Sequence, residues 1–200
     1  MANVQEHWNQ RYQQGNTPWD TGAPSNELVR VIDEGLLKPS RAIELGCGNG
    51  ANAIELARRG FEVTAVDFSA VALGRAQQRA ADASVDVEFV AADVCDFQYG
   101  GESFEFVFDR GCYHAVRRVD VAGFVDTLAH ITAPGSIYLM LAGNANEQID
   151  TGIPRVHESE IRNELGPLFD FEWLREFRFH DTEDGDGSLG WSCLMTRREG

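Results

Sequence analysis

The sequence predicts an α/β fold in which crossover helices cover a parallel sheet that ends in an antiparallel pair of strands. Strand-like and helix-like segments alternate from residue 41 to 142, which is typical of a parallel sheet. Two later strand-like segments flank a short turn, and strands joined in this way pair antiparallel. The chain has 200 residues, of which 43% are hydrophobic, and is predicted to form a single domain.

The first half of the alternation predicts three strands and two helices. The apolar segment RAIEL at 41–45 leads into the helix ANAIELARRG, which ends on Gly60. The second strand is FEVTAVD, and the long helix after it has Ser69 as its predicted N-cap. The third strand is VEFVAAD at 87–93.

The second half continues with the strand SFEFVFD, the helix VDVAGFVDTLAHIT broken by Pro134-Gly135, and the buried strand SIYLMLAG. It ends with the helix ESEIRNEL and the strands FEWLREFRFH and LGWSCLMTRR. The intervening turn, DTEDGDGS at 181–188, is predicted to be a solvated hairpin tip, because its acids do not follow the spacing of a calcium loop.

Composition narrows the class of partner. The formal net charge is −15, from 32 acidic and 17 basic residues, and this charge opposes binding to nucleic acids and anionic membranes. The N-terminus does not look like a signal peptide, and no apolar run is long enough to cross a membrane, so a cytoplasmic protein is expected. The four cysteines stand singly, so neither a metal site nor a disulfide framework is predicted.

The stretch RAIELGCGNG ends in alternating glycines, which let a ligand approach the backbone closely. Gly46, Gly48 and Ala51 satisfy a loose dinucleotide fingerprint, and Asp67 follows Gly46 by 21 residues. Glu44, however, adds a negative charge that would oppose a pyrophosphate and suit a cation. The residues therefore favour a ligand with a nucleoside and a cationic amino-acid tail.

The glycine motif, Asp67, AADVCDF at 91–97 and the late antiparallel pair together resemble class I S-adenosylmethionine-dependent methyltransferases over nearly the whole chain. This resemblance implies a Rossmann-like, doubly wound, seven-stranded sheet, mostly parallel with an antiparallel C-terminal strand. It also implies S-adenosyl-L-methionine as cofactor and S-adenosyl-L-homocysteine as its product.

The resemblance also implies which residues bind the cofactor. Asp67 is expected to accept both ribose hydroxyls, and Asp93 with the Val94 backbone to read the adenine edge. The cofactor residues implied in this part of the chain are Glu44, Gly46, Gly48, Asp67, Phe68, Asp93 and Val94. A simpler interpretation of Asp67 and Asp93 is that each is a turn residue at the end of a strand.

The N-terminal segment resembles the thiopurine, thiol, halide and thiocyanate methyltransferase group, which shows a W-x3-aromatic-x6-W pattern ending in PWD-x-G. Here the pattern is formed by Trp8, Tyr12 and Trp19, with Pro18, Asp20 and Gly22. The resemblance implies that the three aromatic side chains cover the cofactor, in a helical lid segment at about 1–38 before a core at about 39–200. The same spacing also fits an amphipathic helix that packs on the core.

The segment FDRGCYHAV at 108–116 supplies the candidate catalytic residues, since the carboxyl ends of the strands line the ligand crevice of an open α/β sheet. By resemblance Asp109 lies beside the cofactor. His114 is the candidate base and is expected to titrate close to neutrality, with a structural hydrogen bond as the alternative. A small acceptor pocket is predicted from Tyr12, Trp19, Asp109 and Cys112–His114.

The predicted function is methyl transfer to a small-molecule nucleophile, with a thiol or another soft acceptor favoured by the N-terminal resemblance. Such an acceptor needs alignment and desolvation but no base, whereas a phenol or quinol, the alternative, would use one. Two further alternatives remain open: a nicotinamide-dependent oxidoreductase and a non-catalytic nucleotide-binding protein.

Overall fold

The computed structural model describes residues 2–149, 152–179 and 187–199. The chain divides into two compact units, residues 1–94 and 95–200. The boundary falls directly after Val94, so the predicted cofactor residues of the N-terminal half all lie in the first unit, and Asp109 and His114 lie in the second. That the chain forms one domain stays a prediction.

Within residues 2–94, the described part of the first unit, there are four helices and three strands. In chain order these are α1 (Ala2–Gln13), α2 (Asn26–Asp33), β1 (Arg41–Leu45), α3 (Ala51–Arg58), β2 (Glu62–Asp67), α4 (Ala70–Ala83) and β3 (Glu88–Ala91). All three strands and the two helices between them were predicted. Ser69 caps α4 as expected, because its side chain accepts a hydrogen bond from the backbone N–H of Ala72.

The strands of the first unit pair in parallel, with β2 between β1 and β3. β2 is buried along its whole length except at Glu62, as expected of a strand covered on both faces. Helices α3 and α4 pack on this sheet. Parallel pairing places the C-terminal residues of all three strands at one edge, where Leu45 pairs with Val66, and Asp67 with Ala91.

The second unit contains β4 (Phe104–Arg110), α5 (Cys112–Ile131), β5 (Thr132–Asn144), β6 (Arg155–Val156), α6 (Glu158–Leu165), β7 (Phe169–Arg178) and β8 (Leu189–Arg197). β5 pairs in parallel with β4 and antiparallel with β8, and β7 pairs antiparallel with β8. The predicted antiparallel C-terminal pair is therefore confirmed. The turn predicted at 181–188 lies mostly outside the described residues.

Strand β5 begins at Thr132, four residues before its predicted start at Ser136, and two further elements of the second unit differ more from the sequence prediction. Helix α5 begins at Cys112, seven residues before the predicted start, and is interrupted at Asp120, where φ is −155° and ψ is 80°. The Asp120 carboxylate accepts the backbone N–H of Gly123, so a second helical start coincides with the predicted one. The other difference is β6, a two-residue strand that pairs with β5 and is too short to carry a periodic signal.

Within the described ranges, no helix combines the length and the apolarity that a membrane crossing requires.

Candidate functional site

The glycine turn after β1 has a backbone that only glycine adopts readily. Gly46, Gly48 and Gly50 have φ values of +69°, +52° and +77°. The turn is joined to the sheet by a hydrogen bond from the Cys47 N–H to the Val66 carbonyl at 2.9 Å. The positive φ values give these positions a backbone reason to be glycine, and that a ligand approaches the turn closely stays a prediction.

A second constraint acts at Gly48. A Cβ atom built on this residue would lie 2.7 Å from the hydroxyl oxygen of Tyr12. Tyr12 is buried, and its ring covers this part of the turn. Burial, and next the nearby Asp67 carboxylate, raise the pKa of Tyr12 well above its ordinary value, while a hydrogen bond with Trp19 acts in the opposite direction.

Asp67 ends β2 beside the glycine turn. Its Oδ2 accepts the Gly48 N–H at 2.8 Å, and its Oδ1 accepts the Ser69 N–H at 2.8 Å. Burial raises the pKa of Asp67, and the backbone hydrogen bonds of Ser69 and Gly48 oppose that rise. A carboxylate oxygen can accept two hydrogen bonds, so each oxygen of Asp67 keeps the capacity to accept a ligand hydroxyl.

The other predicted cofactor residues near this edge follow the same strands. The Ala92 N–H donates to the Asp67 carbonyl at 3.2 Å, so Asp93 comes directly after the last link between β3 and β2. Asp93 and Phe68 are half-buried, and Val94 is buried. The structure therefore brings Asp67, Phe68 and Asp93 to the carboxyl edge of two neighbouring strands.

Glu44 is almost fully buried in β1. Its Oε1 accepts the side-chain N–H of Asn52 at 2.9 Å, and the Asn52 Oδ1 accepts the backbone N–H of Ser25 at 2.8 Å. Glu44 is thereby connected to the chain just before α2. This connection was not predicted, because the hydrogen bond between Asn52 and Ser25 joins residues that are 27 positions apart in sequence.

The three N-terminal aromatic residues form one cluster, and that they cover a bound cofactor stays a prediction. The ring of Trp19 stands edge-on to that of Trp8, with centroids 5.6 Å apart, and to that of Tyr12, with centroids 6.3 Å apart. The guanidinium of Arg11 lies over the Trp19 ring at 4.3 Å and also contacts Trp8. A cation therefore already lies against this cluster, and it is a residue that the sequence analysis did not single out.

Helix α1 lies along the carboxyl end of β2. The Gln5 amide donates to the Phe68 carbonyl at 3.1 Å, and the Ser69 hydroxyl donates to the Asn9 Oδ1 at 2.7 Å. These contacts place the N-terminal segment beside Asp67. That the segment orders over a bound cofactor stays a prediction.

In the second unit, Asp109 is fully buried and caps the start of α5. Its oxygens accept the backbone N–H groups of Cys112 and Tyr113 and the hydroxyl of Tyr138, the last at 2.9 Å. Burial raises the pKa of Asp109 to about 7, although these hydrogen bonds oppose the rise. The structure thus gives Asp109 a structural role, and its contact with a cofactor stays a prediction.

His114 was expected to titrate close to neutrality, and its environment corrects that expectation. Burial lowers the pKa of His114 to about 3, and the guanidinium groups of Arg110 and Arg118 add to the effect. The Nδ1 atom accepts the Gly143 N–H at 2.8 Å, so the proton of the neutral ring is on Nε2. The ring therefore has the structural hydrogen bond of the alternative interpretation.

The neighbours of His114 in the predicted acceptor pocket are also buried. Tyr113 has no exposed surface, and its hydroxyl donates to Glu164 at 2.6 Å. Glu164 also pairs with Arg117, which bonds Glu160 in turn. These ion pairs fasten α5 to α6. The acceptor pocket itself stays a prediction.

Among the described residues, no cluster of His, Cys, Asp or Glu side chains has a geometry that would hold a metal ion.

Comparison with known proteins shows what kind of protein this chain is similar to. Residues 42–135 match the family described as a methyltransferase domain. A 2-heptyl-1-hydroxyquinolin-4(1H)-one methyltransferase of Mycobacteroides abscessus is 26% identical over 172 residues, which is 84% of this chain and 75% of that protein. A probable thiol methyltransferase 2 of Arabidopsis thaliana is 27% identical over 163 residues, or 80% of this chain and 72% of that protein.

A ubiquinone biosynthesis O-methyltransferase of Sinorhizobium fredii is 32% identical over 108 residues, but the match spans only 54% of this chain and 43% of that protein. The fold is also found in a structure solved in work on the conversion of a disulfide bond into a thioacetal group during echinomycin biosynthesis. That structure superposes with a TM-score of 0.81 and 22% identity, covering 98% of this chain and 92% of the other.

The predicted fold class is confirmed, with β6 as a strand beyond the expected seven. The methyltransferase interpretation is confirmed over the oxidoreductase and the non-catalytic alternatives. The chain therefore has a Rossmann-like α/β fold and is a methyltransferase, with the match to the methyltransferase domain at residues 42–135.

Proposed function

We propose that this protein transfers the methyl group of S-adenosylmethionine to a small-molecule nucleophile, and that the first unit binds the cofactor. The observation that carries the proposal is the position of Asp67, whose carboxylate is bonded to the Gly48 N–H at the end of β2. A carboxylate at this point accepts the paired hydroxyls of a ribose, and the open backbone of the turn accommodates the rest of a nucleoside.

The donor set fits this cofactor. Glu44 lies in β1 just before the glycine turn, Asp67 bonds to Gly48 within it, and Asp93 follows β3. Acidic residues at these positions suit the ammonium and sulfonium charges of S-adenosylmethionine. The aromatic cluster of Trp8, Tyr12 and Trp19 adds ring faces that attract cations. A dinucleotide would instead bring its pyrophosphate against Glu44, which is a repulsive arrangement.

Bound S-adenosylmethionine supplies an electrophilic methyl carbon. The protein's own contribution is to hold the cofactor through Asp67 and the glycine turn and to exclude water with the N-terminal segment. A thiolate or halide acceptor then needs alignment and desolvation alone. A neutral imidazole at His114 is compatible with this chemistry, because its Nε2–H is a hydrogen-bond donor.

Two acceptor classes have support. The N-terminal motif and the similarity to a probable thiol methyltransferase favour a thiol or another soft atom. The similarities to a hydroxyquinolinone methyltransferase and to a ubiquinone biosynthesis O-methyltransferase favour a hydroxyl group on a small ring. The first remains our proposal and the second its direct competitor.

The test is a transfer assay with S-adenosylmethionine labelled in the methyl group. The protein is incubated with a panel of small thiols, halides, phenols, quinols and tellurite, and methylated products are identified by mass spectrometry. Labelled thioethers or methyl halides support the soft acceptor, whereas labelled ethers alone replace it with O-methylation. A protein that binds the cofactor but labels no member of the panel would contradict the small-molecule proposal.

A further inference from the structure

Arg79, on helix α4, contacts both the N-terminal loop and the glycine turn, which are distant in sequence. Its Nη2 donates to the Gly22 carbonyl at 2.8 Å, and its Nη1 donates to the Asn49 carbonyl at 3.2 Å. The same Nη1 lies 3.6 Å from the Asp20 carboxylate. One guanidinium therefore joins the N-terminal loop to the glycine turn.

Asp20 completes the connection from the other side. Its Oδ2 accepts the side-chain N–H of Asn49, and its Oδ1 accepts the Gly22 N–H at 3.1 Å. Asn49 is thus held through both its side chain and its backbone. These contacts give a role to Asp20 and Gly22 of the PWDTG motif, which the aromatic cluster does not explain.

Gly22 also has a conformational reason to be glycine. Its φ is +77°, in the left-handed region that favours glycine, and a Cβ at this position would lie 3.5 Å from the Arg79 Nη2, an ordinary contact. The backbone conformation, rather than lack of space, therefore restricts this position. With that conformation, the carbonyl of Gly22 meets the guanidinium.

We propose that Arg79 is a positioning residue that fastens the loop Thr17–Gly22 to the glycine turn and thereby holds Trp19 beside the cofactor site. The inference rests on the proposed function. The two carbonyl contacts carry it, because hydrogen bonds from a charged donor are stronger than neutral ones, whereas an ion pair at 3.6 Å between partly exposed groups contributes little. The planar guanidinium donates from two nitrogens and so reaches both carbonyls at once, whereas the single ammonium of a lysine would reach one of them. Lysine is therefore expected to substitute for Arg79 only in part.

The test compares Arg79→Met, Arg79→Lys and the control Arg75→Met, which alters an exposed arginine one turn earlier on the same helix. Affinity for S-adenosylhomocysteine is measured by calorimetry. KM for S-adenosylmethionine and kcat are measured by transfer of the labelled methyl group. Hydrogen exchange of the backbone amides of residues 16–25 is measured without ligand. We expect Arg79→Met to weaken affinity and raise KM roughly tenfold, with kcat changed less than about threefold. Amide exchange in residues 16–25 should be faster in Arg79→Met than in the wild type. Arg79→Lys should give affinity, KM and exchange values between those of Arg79→Met and the wild type. Arg75→Met should match the wild type in all three.

Wild-type exchange and affinity in Arg79→Met would overturn the inference, and so would a loss of kcat with KM unchanged. If Arg79→Met does not fold, Asp20→Asn weakens the same connection and should raise exchange in the same residues. Should the wild type bind no S-adenosylhomocysteine, the proposed function fails. In that case the exchange of Arg79→Met without ligand still decides whether Arg79 fastens the loop.

Discussion

The carboxylate of Asp67 accepts the backbone N–H of Gly48 at 2.8 Å, which ties the acid at the end of β2 to the centre of the glycine turn. Two features that are 19 residues apart in sequence thus form one rigid arrangement. If a ribose binds here, its hydroxyls meet an acceptor already oriented by the turn.

Asp67→Asn should therefore weaken binding of S-adenosylhomocysteine by about 2 to 4 kcal/mol, because charge-assisted hydrogen bonds to hydroxyls are lost. Calorimetric titration measures the change. The matched control is Glu62→Gln, at the exposed opposite end of the same strand, and should bind normally. Equal affinity of Asp67→Asn and the wild type would remove Asp67 from the cofactor site.

Gly48→Ala should destabilise the protein, since its φ of +52° strains alanine and the new Cβ would lie 2.7 Å from the Tyr12 hydroxyl oxygen. The next ring atom of Tyr12 is 3.6 Å away, so removing the oxygen removes the clash. The double variant Gly48→Ala, Tyr12→Phe should therefore recover part of the unfolding free energy lost in Gly48→Ala. Additive losses in urea denaturation would show that the contact is unimportant.

Ligand binding should change tryptophan fluorescence through Trp8 and Trp19, which lie edge-on to each other in the N-terminal segment. The change should shrink or vanish in Trp8→Phe and Trp19→Phe and persist in Trp173→Phe, whose indole lies on β7 in the second unit. Amide exchange of residues 5–25 should slow on ligand addition. A signal that depends on Trp173 alone would contradict the lid.

His114 should show no titration between pH 5 and 8 in two-dimensional NMR spectra of the imidazole resonances, because burial lowers its pKa to about 3. Any pH dependence of methyl transfer in that range should then come from the acceptor, for example from the thiolate fraction of a thiol. An inflection near 6.5 that disappears in His114→Gln would restore the ring as a candidate base.

Asp109 and His114 should give opposite pH dependences of stability. The pKa of Asp109 is raised to about 7, so the folded state binds the Asp109 proton more tightly than the unfolded state does. The contribution of Asp109 to the free energy of unfolding therefore falls as pH rises from about 4 to 7. The pKa of His114 is lowered, so the unfolded state binds the His114 proton more tightly than the folded state does. The contribution of His114 to the free energy of unfolding therefore grows as pH rises to about 6.5. Urea unfolding between pH 4.5 and 6.5 checks both signs.

The destabilisation by Asp109→Asn, relative to wild type, should therefore shrink by more than about 1 kcal/mol across that range, and that of His114→Gln should increase. A constant difference for either variant would show that the folded and unfolded pKa values of that residue are alike.

Local signals predicted the central strands and the glycine turn. RAIEL and FEVTAVD are short apolar runs bounded by turn residues, and the structure has β1 at Arg41–Leu45 and β2 at Glu62–Asp67. The aromatic cluster was found through a motif rather than through periodicity. These features are determined by residues close together in the chain.

The contacts that were missed join distant segments. Arg79 and Gly22 are 57 residues apart, and neither the helix pattern of α4 nor the turn around Gly22 indicates the other. The early start of α5 depends on Asp109, a buried cap supplied by the preceding strand. The pKa of His114 was misjudged for the same reason, since burial in the folded chain sets it and the residue type gives only the starting value.

The most direct test of the central claim is a crystal structure of the protein with S-adenosylhomocysteine. We expect both ribose hydroxyls within hydrogen-bonding distance of the Asp67 carboxylate, the amino-acid part of the ligand along the Gly46–Gly48 turn, and Trp19 in contact with the ligand. Density for the ligand away from Asp67, or against the turn with Asp67 bonded only to Gly48 and Ser69, would contradict this claim.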